Sequence, residues 1–206
     1  MRHSYSCAML LVFLVSGVPA CSTSPPTHYY LLTTRVPNTP PAPMQHQLTV
    51  GVGPLILSHY LDRDELVART GSNGLNVATY HQWGEPLRDN ISRVLEEDLG
   101  YRLGTDRIVR LPVKRTLRKA LNLDYQIPVA VEKFEKTTDG SVILNARWGV
   151  LGKDKKELLV RRSEYRETPA ADSYDDQVAA QSAALGRLSE EIATAIAALE
   201  QQPSGK

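Results

Sequence analysis

Apolar positions along the chain follow two periods. Over residues 84–103, Leu87, Ile91, Val94, Leu95, Leu99 and Leu103 recur every three or four places and form one stripe, which predicts an amphipathic helix. Pro86 falls in its first turn, where a missing N–H costs nothing, and Glu85 suits the positive end of the helix dipole. Gly100 inside the stripe costs about 1 kcal/mol relative to alanine, and Gly104 stops the helix. A second stripe of Val178, Leu185, Leu188, Ile192, Ile196 and Leu199 predicts a helix from Tyr174 to about Leu199. Asp172 and Ser173 are both good N-caps, and Ser173 with Asp176 forms a loose capping box. Alanine is frequent between the stripe positions, so this helix is suited to close packing on a sheet.

The other segments alternate with period two. His28–Thr33 is a short aromatic and β-branched strand, and Asn76–Tyr80 and Arg107–Leu111 are further short strands. From Gln47 to Leu55, Leu48, Val50 and Val52 share one face, while Thr49, Gly51 and Gly53 share the other. The bare glycine face implies close approach of another backbone or a packed helix. Ile127–Phe134, Ser141–Leu151 and Glu157–Arg166 are three antiparallel strands joined at Asp139-Gly140 and at Gly152–Lys155. Val142, Leu144, Ala146, Trp148 and Val150 share a face, and Leu158, Val160 and Arg162 are read as the inner register of the third strand. Leu57–Arg69 reads as one or two helical turns, and the prolines of Val36–Pro43 make an extended crossing. The expected fold is α/β in two layers, a mostly antiparallel sheet with two main helices packed on one face. The pattern does not specify strand order.

The first 20 residues stand apart. A basic start, Met1-Arg2-His3, precedes an apolar run from Cys7 to Gly17, too short to span a bilayer and about right for a signal-peptide core. Val18-Pro19-Ala20-Cys21 then resembles the bacterial lipoprotein signal, in which the cysteine is acylated and the preceding peptide bond is cut. Ordinary signal cleavage would instead leave Cys21 as a lone thiol in an oxidising compartment. By resemblance to the enterobacterial sorting rule, Ser22 in place of aspartate implies the outer membrane. The expected organisation is a removed signal over 1–20, a lipidated, proline-bearing tether over 21–27, one periplasmic domain over 28–200 and a disordered tail over 201–206. Both cysteines are then spent, Cys7 with the signal and Cys21 on lipid, so the domain is expected to have no disulfide and no thiol chemistry.

Composition narrows the function classes. The net charge of the 206-residue chain is +1, which gives no long-range attraction for nucleic acid. The basic clusters Lys114-Arg115 with Arg118-Lys119, and Arg161-Arg162 with Arg166, suit acidic protein or lipid head groups better. His28, His46, His59 and His81 lack metal-ligand spacing, so no metal or cofactor is expected. No Gly-x-Ser-x-Gly elbow occurs, and Glu96-Glu97-Asp98 fans around its helix instead of converging on one atom. An enzyme is not expected.

Two stretches invite two readings. Leu57-Ser58-His59-Tyr60-Leu61-Asp62-Arg63 ends in an opposite-charge pair, and Tyr80–Leu87 sets Trp83 at a helix entrance. In the local reading Trp83 staples the helix start, and Asp62 or Arg63 satisfies a loop. In the other, Tyr60, Leu61, Asp62, Arg63 and Trp83 form a partner-binding surface, since Trp, Tyr and Arg anchor interfaces.

Val50-Gly51-Val52-Gly53-Pro54, Tyr60-Leu61-Asp62-Arg63, Trp83-Gly84-Glu85-Pro86-Leu87 and Arg93-Val94-Leu95 stand in the order and spacing of a known family, joined by Tyr29-Tyr30-Leu31-Leu32 and Asn145-Ala146-Arg147-Trp148. The chain resembles the PqiC/YmbA-type lipoproteins, also called ABC-type transport auxiliary lipoproteins, from Cys21 to Leu199. Ser58-His59 and Asp64-Glu65 depart from the family's usual residues around Tyr-Leu-Asp-Arg. The resemblance implies a non-enzymatic partner of an MCE-domain (PqiB-like) lipid-transport protein, held at the outer membrane through Cys21 and docking as a ring-like homo-oligomer. A lipid carrier with an acyl cavity and a structural envelope lipoprotein are the competing readings.

Overall fold

The computed structural model describes residues 24–36, 47–113 and 121–201. The signal segment, Cys21, most of the proline-rich crossing, the basic cluster at 114–119 and the tail beyond 201 lie outside the described residues. The elements in chain order are β1 (His28–Tyr30), β2 (Val50–Leu57), β3 (Glu65–Arg69), β4 (Leu75–Trp83), α1 (Leu87–Leu103), β5 (Ile108–Arg110), β6 (Tyr125–Lys136), β7 (Val142–Leu151), β8 (Glu157–Glu167) and α2 (Tyr174–Gln201).

The eight strands form one mixed sheet assembled on β6. One edge of β6 carries β7 and then β8, both antiparallel. The other edge carries β2 along its first half and β3 near its end, both parallel to it. Beyond β2 lies β5; beyond β3 come antiparallel β4 and then parallel β1. Antiparallel ladders hold most of the paired residues, as the hairpin signals lead one to expect. The Asp139-Gly140 hairpin is closed by Thr137 N–H to the Ser141 carbonyl at 2.7 Å, with Gly140 at φ +85°. Hydrogen bonds from the Thr137 hydroxyl and from the Ser141 hydroxyl and amide hold the Asp139 carboxyl down at about 2.

Both helices cover the same sheet face and pack on each other, α1 over β2 and β5, α2 over β6, β7 and β8. Val94, Leu95 and Leu99 of α1 and Leu185, Leu188, Ile192 and Ile196 of α2 are fully buried against Ile127, Leu144, Ala146 and Trp148. Each helix ends as its sequence dictates. The Asp176 amide donates to the Ser173 hydroxyl at 3.0 Å, and α1 closes on Gly104 in the left-handed conformation. Pro86 takes the N-cap place of α1, one residue before the first turn.

What approaches the glycines of β2 is the chain after β5. A Cβ on Gly51 would lie 2.8 Å from the side chains of Leu111 and Leu123, and one on Gly53, at φ +115°, 2.6 Å from the Leu111 carbonyl.

Three expectations are corrected. Within 57–69 only His59–Leu61 is helical, a single 3₁₀ turn, and 65–69 is β3. Strand β1 stops at Tyr30; Leu31 follows beside Gly84, and from Leu32 to Arg35 the chain leaves the sheet to lie over the helices. In β8 the inward residues are Leu159, Ser163 and Tyr165, paired with Val150, Ala146 and Leu144, while Leu158, Val160 and Arg162 face outward. A register irregularity between Val150 and Leu151, beside the Gly152–Lys156 turn, sets this phase, and a one-residue slip exchanges the faces of a whole strand. The polar inward residues are satisfied by α2. Ser163 donates to Glu191 at 2.6 Å, Tyr165 also bonds Glu191, and the Trp148 indole donates to Ser163 at 3.0 Å.

Candidate functional site

The Tyr60–Arg63 turn fills the gap where the β2–β3 line breaks along β6. There the β6–β7 pairing shifts register between Val131 and Lys133, and the Ser58 and Tyr60 hydroxyls donate to the Glu132 carbonyl at 2.9 and 3.2 Å. Backbone groups turned away from water are usually paired, and these hydroxyls supply the partner. Tyr60 also donates to Glu135 at 2.7 Å, and the fully buried Glu135 carboxylate receives Arg69 Nε at 2.9 Å and the Phe134 amide at 2.8 Å. The Arg69 guanidinium sits 5.4 Å from the Tyr60 ring centre. Burial, and then the bond to Glu135, push the Tyr60 phenol well above the usual tyrosine range.

The structure thereby sorts the residues picked from the sequence. Leu61 at 1% exposure and Trp83 at 6% are core side chains, and the Tyr60 hydroxyl is spent internally. Trp83 is also held through its amide, which donates to the Asp64 carbonyl at 2.7 Å and ties the turn to the start of α1. Asp62 and Arg63 point to solvent, Asp62 bridged to Arg88 at 2.7 Å and Arg63 set 3.6 Å from Glu65. The turn thus brings Asp62, Arg63 and Arg88 together as an exposed charged surface standing on Tyr60, Leu61 and Trp83.

A second arrangement surrounds the N-terminal segment. After β1 the chain runs across α1 and α2 as a strap. The Leu32 amide donates to Asn90 Oδ1 at 3.0 Å, that of Thr33 to the Ser182 hydroxyl at 3.1 Å and that of Arg35 to Asp98 Oδ1 at 3.3 Å. Arg93 returns a bond to the Leu32 carbonyl at 2.9 Å. Gly186 makes room for the strap, since a Cβ there would come within 2.8 Å of Arg35 Cβ. Where β1 enters the sheet, His81 stacks between His28 at 5.2 Å and Tyr174 at 3.7 Å, and its Nδ1 lies 2.8 Å from the Tyr30 hydroxyl.

The sheet face away from the helices carries an apolar strip of Pro54, Ile56, Pro128, Gly149, Leu158 and Val160, with Ile56, Leu158 and Val160 exposed. A Cβ on Gly149 would crowd the Leu159 carbonyl at 3.0 Å, so glycine lets β8 lie close. Sequence reasoning missed this strip because it assigned Leu158 and Val160 to the core. It also missed Glu135, whose only signal is a carboxylate inside an otherwise apolar strand stretch. Among the described residues no group of His, Cys, Asp and Glu is arranged to hold a metal ion, and no helix is long and apolar enough to cross a membrane.

Comparison with known proteins matches this architecture. A crystal structure of an uncharacterized protein is similar over 84% of this chain and 99% of its own, at 20% identity and a TM-score of 0.67. That of XCC0632 from Xanthomonas campestris, described as a DUF330 protein, is similar over 85% of this chain and 98% of its own, at 18% identity and a TM-score of 0.71. These likenesses establish the fold. No curated protein matches the chain in sequence. The family model for the ABC-type transport auxiliary lipoprotein component matches residues 30–193, from the end of β1 to the last turns of α2, and the chain belongs to that family.

Proposed function

We propose that this protein is an outer-membrane lipoprotein that docks the distal end of an MCE-domain lipid-transport assembly and supports phospholipid traffic across the periplasm. The observation that carries this reading is the family match over residues 30–193, which begins nine residues after Cys21. The role is positional: acylated Cys21 fixes the domain at the membrane, and an exposed surface engages the transport protein. The contact falls to Asp62 and Arg63 with Arg88, while Tyr60, Leu61 and Trp83 shape the turn from beneath. A ring-like assembly of several copies suits docking onto an oligomeric tunnel.

The packing between sheet and helices favours docking over carriage. Leu95, Leu185, Leu188, Ile192 and Trp148 fill that space, all at most 2% exposed, where a carrier would need room for an acyl chain. Photo-crosslinking in cells tests the proposal, with probes placed singly at Asp62, Arg63 and Arg88 and a control at Arg187. Adducts to an MCE-domain protein at the first three positions are expected. Adducts to phospholipid would favour a carrier, and no adduct from folded protein beyond the control would refute docking through this turn.

A further inference from the structure

The first ordered strand after the tether shows more apolar surface than an edge strand needs. Tyr29 is 67% exposed and Leu31 52%, although their neighbours Tyr30 and Leu32 are turned inward. Tyr80 adds to them. The register pairs Tyr29 with Gln82, and side chains two places apart share a face, so Tyr80 stands beside Tyr29 on the side away from the helices. Tyrosine with an aliphatic neighbour has the amphipathic character of side chains at the boundary between lipid head groups and acyl chains.

The chain itself names the occupant. Tyr29 lies eight positions after Cys21; at about 3.3 Å per position the two are at most roughly 26 Å apart along the chain. The backbone beneath the surface is tied into the fold at several points. Strand β1 is paired to β4, His28 and His81 are stacked, and the strap that follows is bonded to both helices. We propose that Tyr29, Leu31 and Tyr80 form a membrane-contact surface that rests in the head-group region of the bilayer holding the Cys21 acyl chains. The inference rests on the acylation of Cys21 proposed above. It turns a flexible attachment into a two-point one: the acyl chains hold the protein at the membrane, and the aromatic edge sets which way the domain faces. Docking a transport assembly requires such an orientation, because a domain tumbling on its tether presents its contact turn in every direction.

The test uses the full-length lipoprotein, purified in its processed form and reconstituted in phosphatidylethanolamine–phosphatidylglycerol vesicles. Tyr29→Cys, Leu31→Cys and Lys153→Cys each carry one nitroxide label, Lys153 lying in the β7–β8 turn at the opposite flank of the sheet. The expected result is several-fold lower collision with a water-soluble nickel chelate at positions 29 and 31 than at 153, together with higher collision with oxygen. Equal nickel accessibility at all three positions would overturn the proposal, as would lowered access of both reagents, which signifies a protein contact. Vesicle flotation and the mass of the N-terminal peptide are read on the same samples. Protein that floats with an acylated Cys21 but gives either overturning result loses the orientation proposal alone. A free Cys21 without flotation removes the anchoring reading and this proposal with it.

Discussion

Replacing Arg69 by leucine tests the account of the Tyr60 turn most directly. Glu135 is fully buried, and its carboxylate has three donors, the Tyr60 hydroxyl, Arg69 Nε and the Phe134 amide. Arg69→Leu leaves the buried charge without its counter-ion, a change that costs about 3–5 kcal/mol in comparable sites. The Arg69 side chain keeps about a quarter of its surface in water, at 27% exposure, which places the expected cost at the lower end, about 3 kcal/mol. For a domain of this size that loss lowers the melting temperature by roughly 6–12 °C. Tyr60→Phe removes one hydrogen bond to a charged group and should cost about 1.5–3 kcal/mol. Adding Glu135→Gln to Arg69→Leu removes the stranded charge, so the double variant should be more stable than Arg69→Leu alone. Urea unfolding followed by circular dichroism measures all of these. The pH dependence carries a further sign. The Tyr60 phenol is held above its ordinary value in the folded protein, so folding retains its proton where the unfolded chain releases it. Stability should therefore fall as pH rises above about 10, and less so in Tyr60→Phe. Costs below about 0.5 kcal/mol for both single variants, the range of an ordinary surface substitution, would refute the reasoning.

Two further predictions concern the strap. Burial raises the Asp98 carboxyl above the usual aspartate range, against the opposing bonds from Ser189 and the Arg35 amide and the nearby Arg102 charge. Its ionised form is therefore penalised on folding, and lowering the pH from neutral towards 4 should stabilise the protein relative to Asp98→Asn; a stability difference that does not change with pH would contradict this. Gly186→Ala places a methyl group 2.8 Å from Arg35 Cβ and should lift the strap. Hydrogen exchange at the Thr33 and Arg35 amides should then accelerate, with the amides of β7 unchanged.

The exposed residues of the candidate surface owe their placement to a conflict between two strands. β2 and β3 lie along one edge of β6 and are parallel to it, but the turn between them lifts the chain off that edge. Tyr60 and Leu61 bend inward to close the break, and Asp62 and Arg63 are left outside with Arg88. In the sequence these are four consecutive residues of one short segment, and their composition does not separate the two that pack from the two that face water. Trp83 shows the same limit. Its residue type suits an interface as well as a core, and its 6% exposure follows from the close of β4 against the start of α1.

The sequence by itself determined the features that arise from local periodicity and turn chemistry. Both helices, their caps at Ser173 and Gly104, the β6–β7–β8 meander with its two turns and the two-layer arrangement all follow from spacing and from residues that act within a few positions of themselves. The mixed strand order, the single 3₁₀ turn at 59–61, the outward phase of Leu158 and Val160, and the strap over the helices were decided only by the tertiary structure. Each depends on which distant segment takes up an exposed backbone or covers an apolar side chain. Glu135 makes the reason plain: a carboxylate in a strand is an unfavourable core residue until Tyr60 and Arg69, 75 and 66 residues away along the chain, are brought to it.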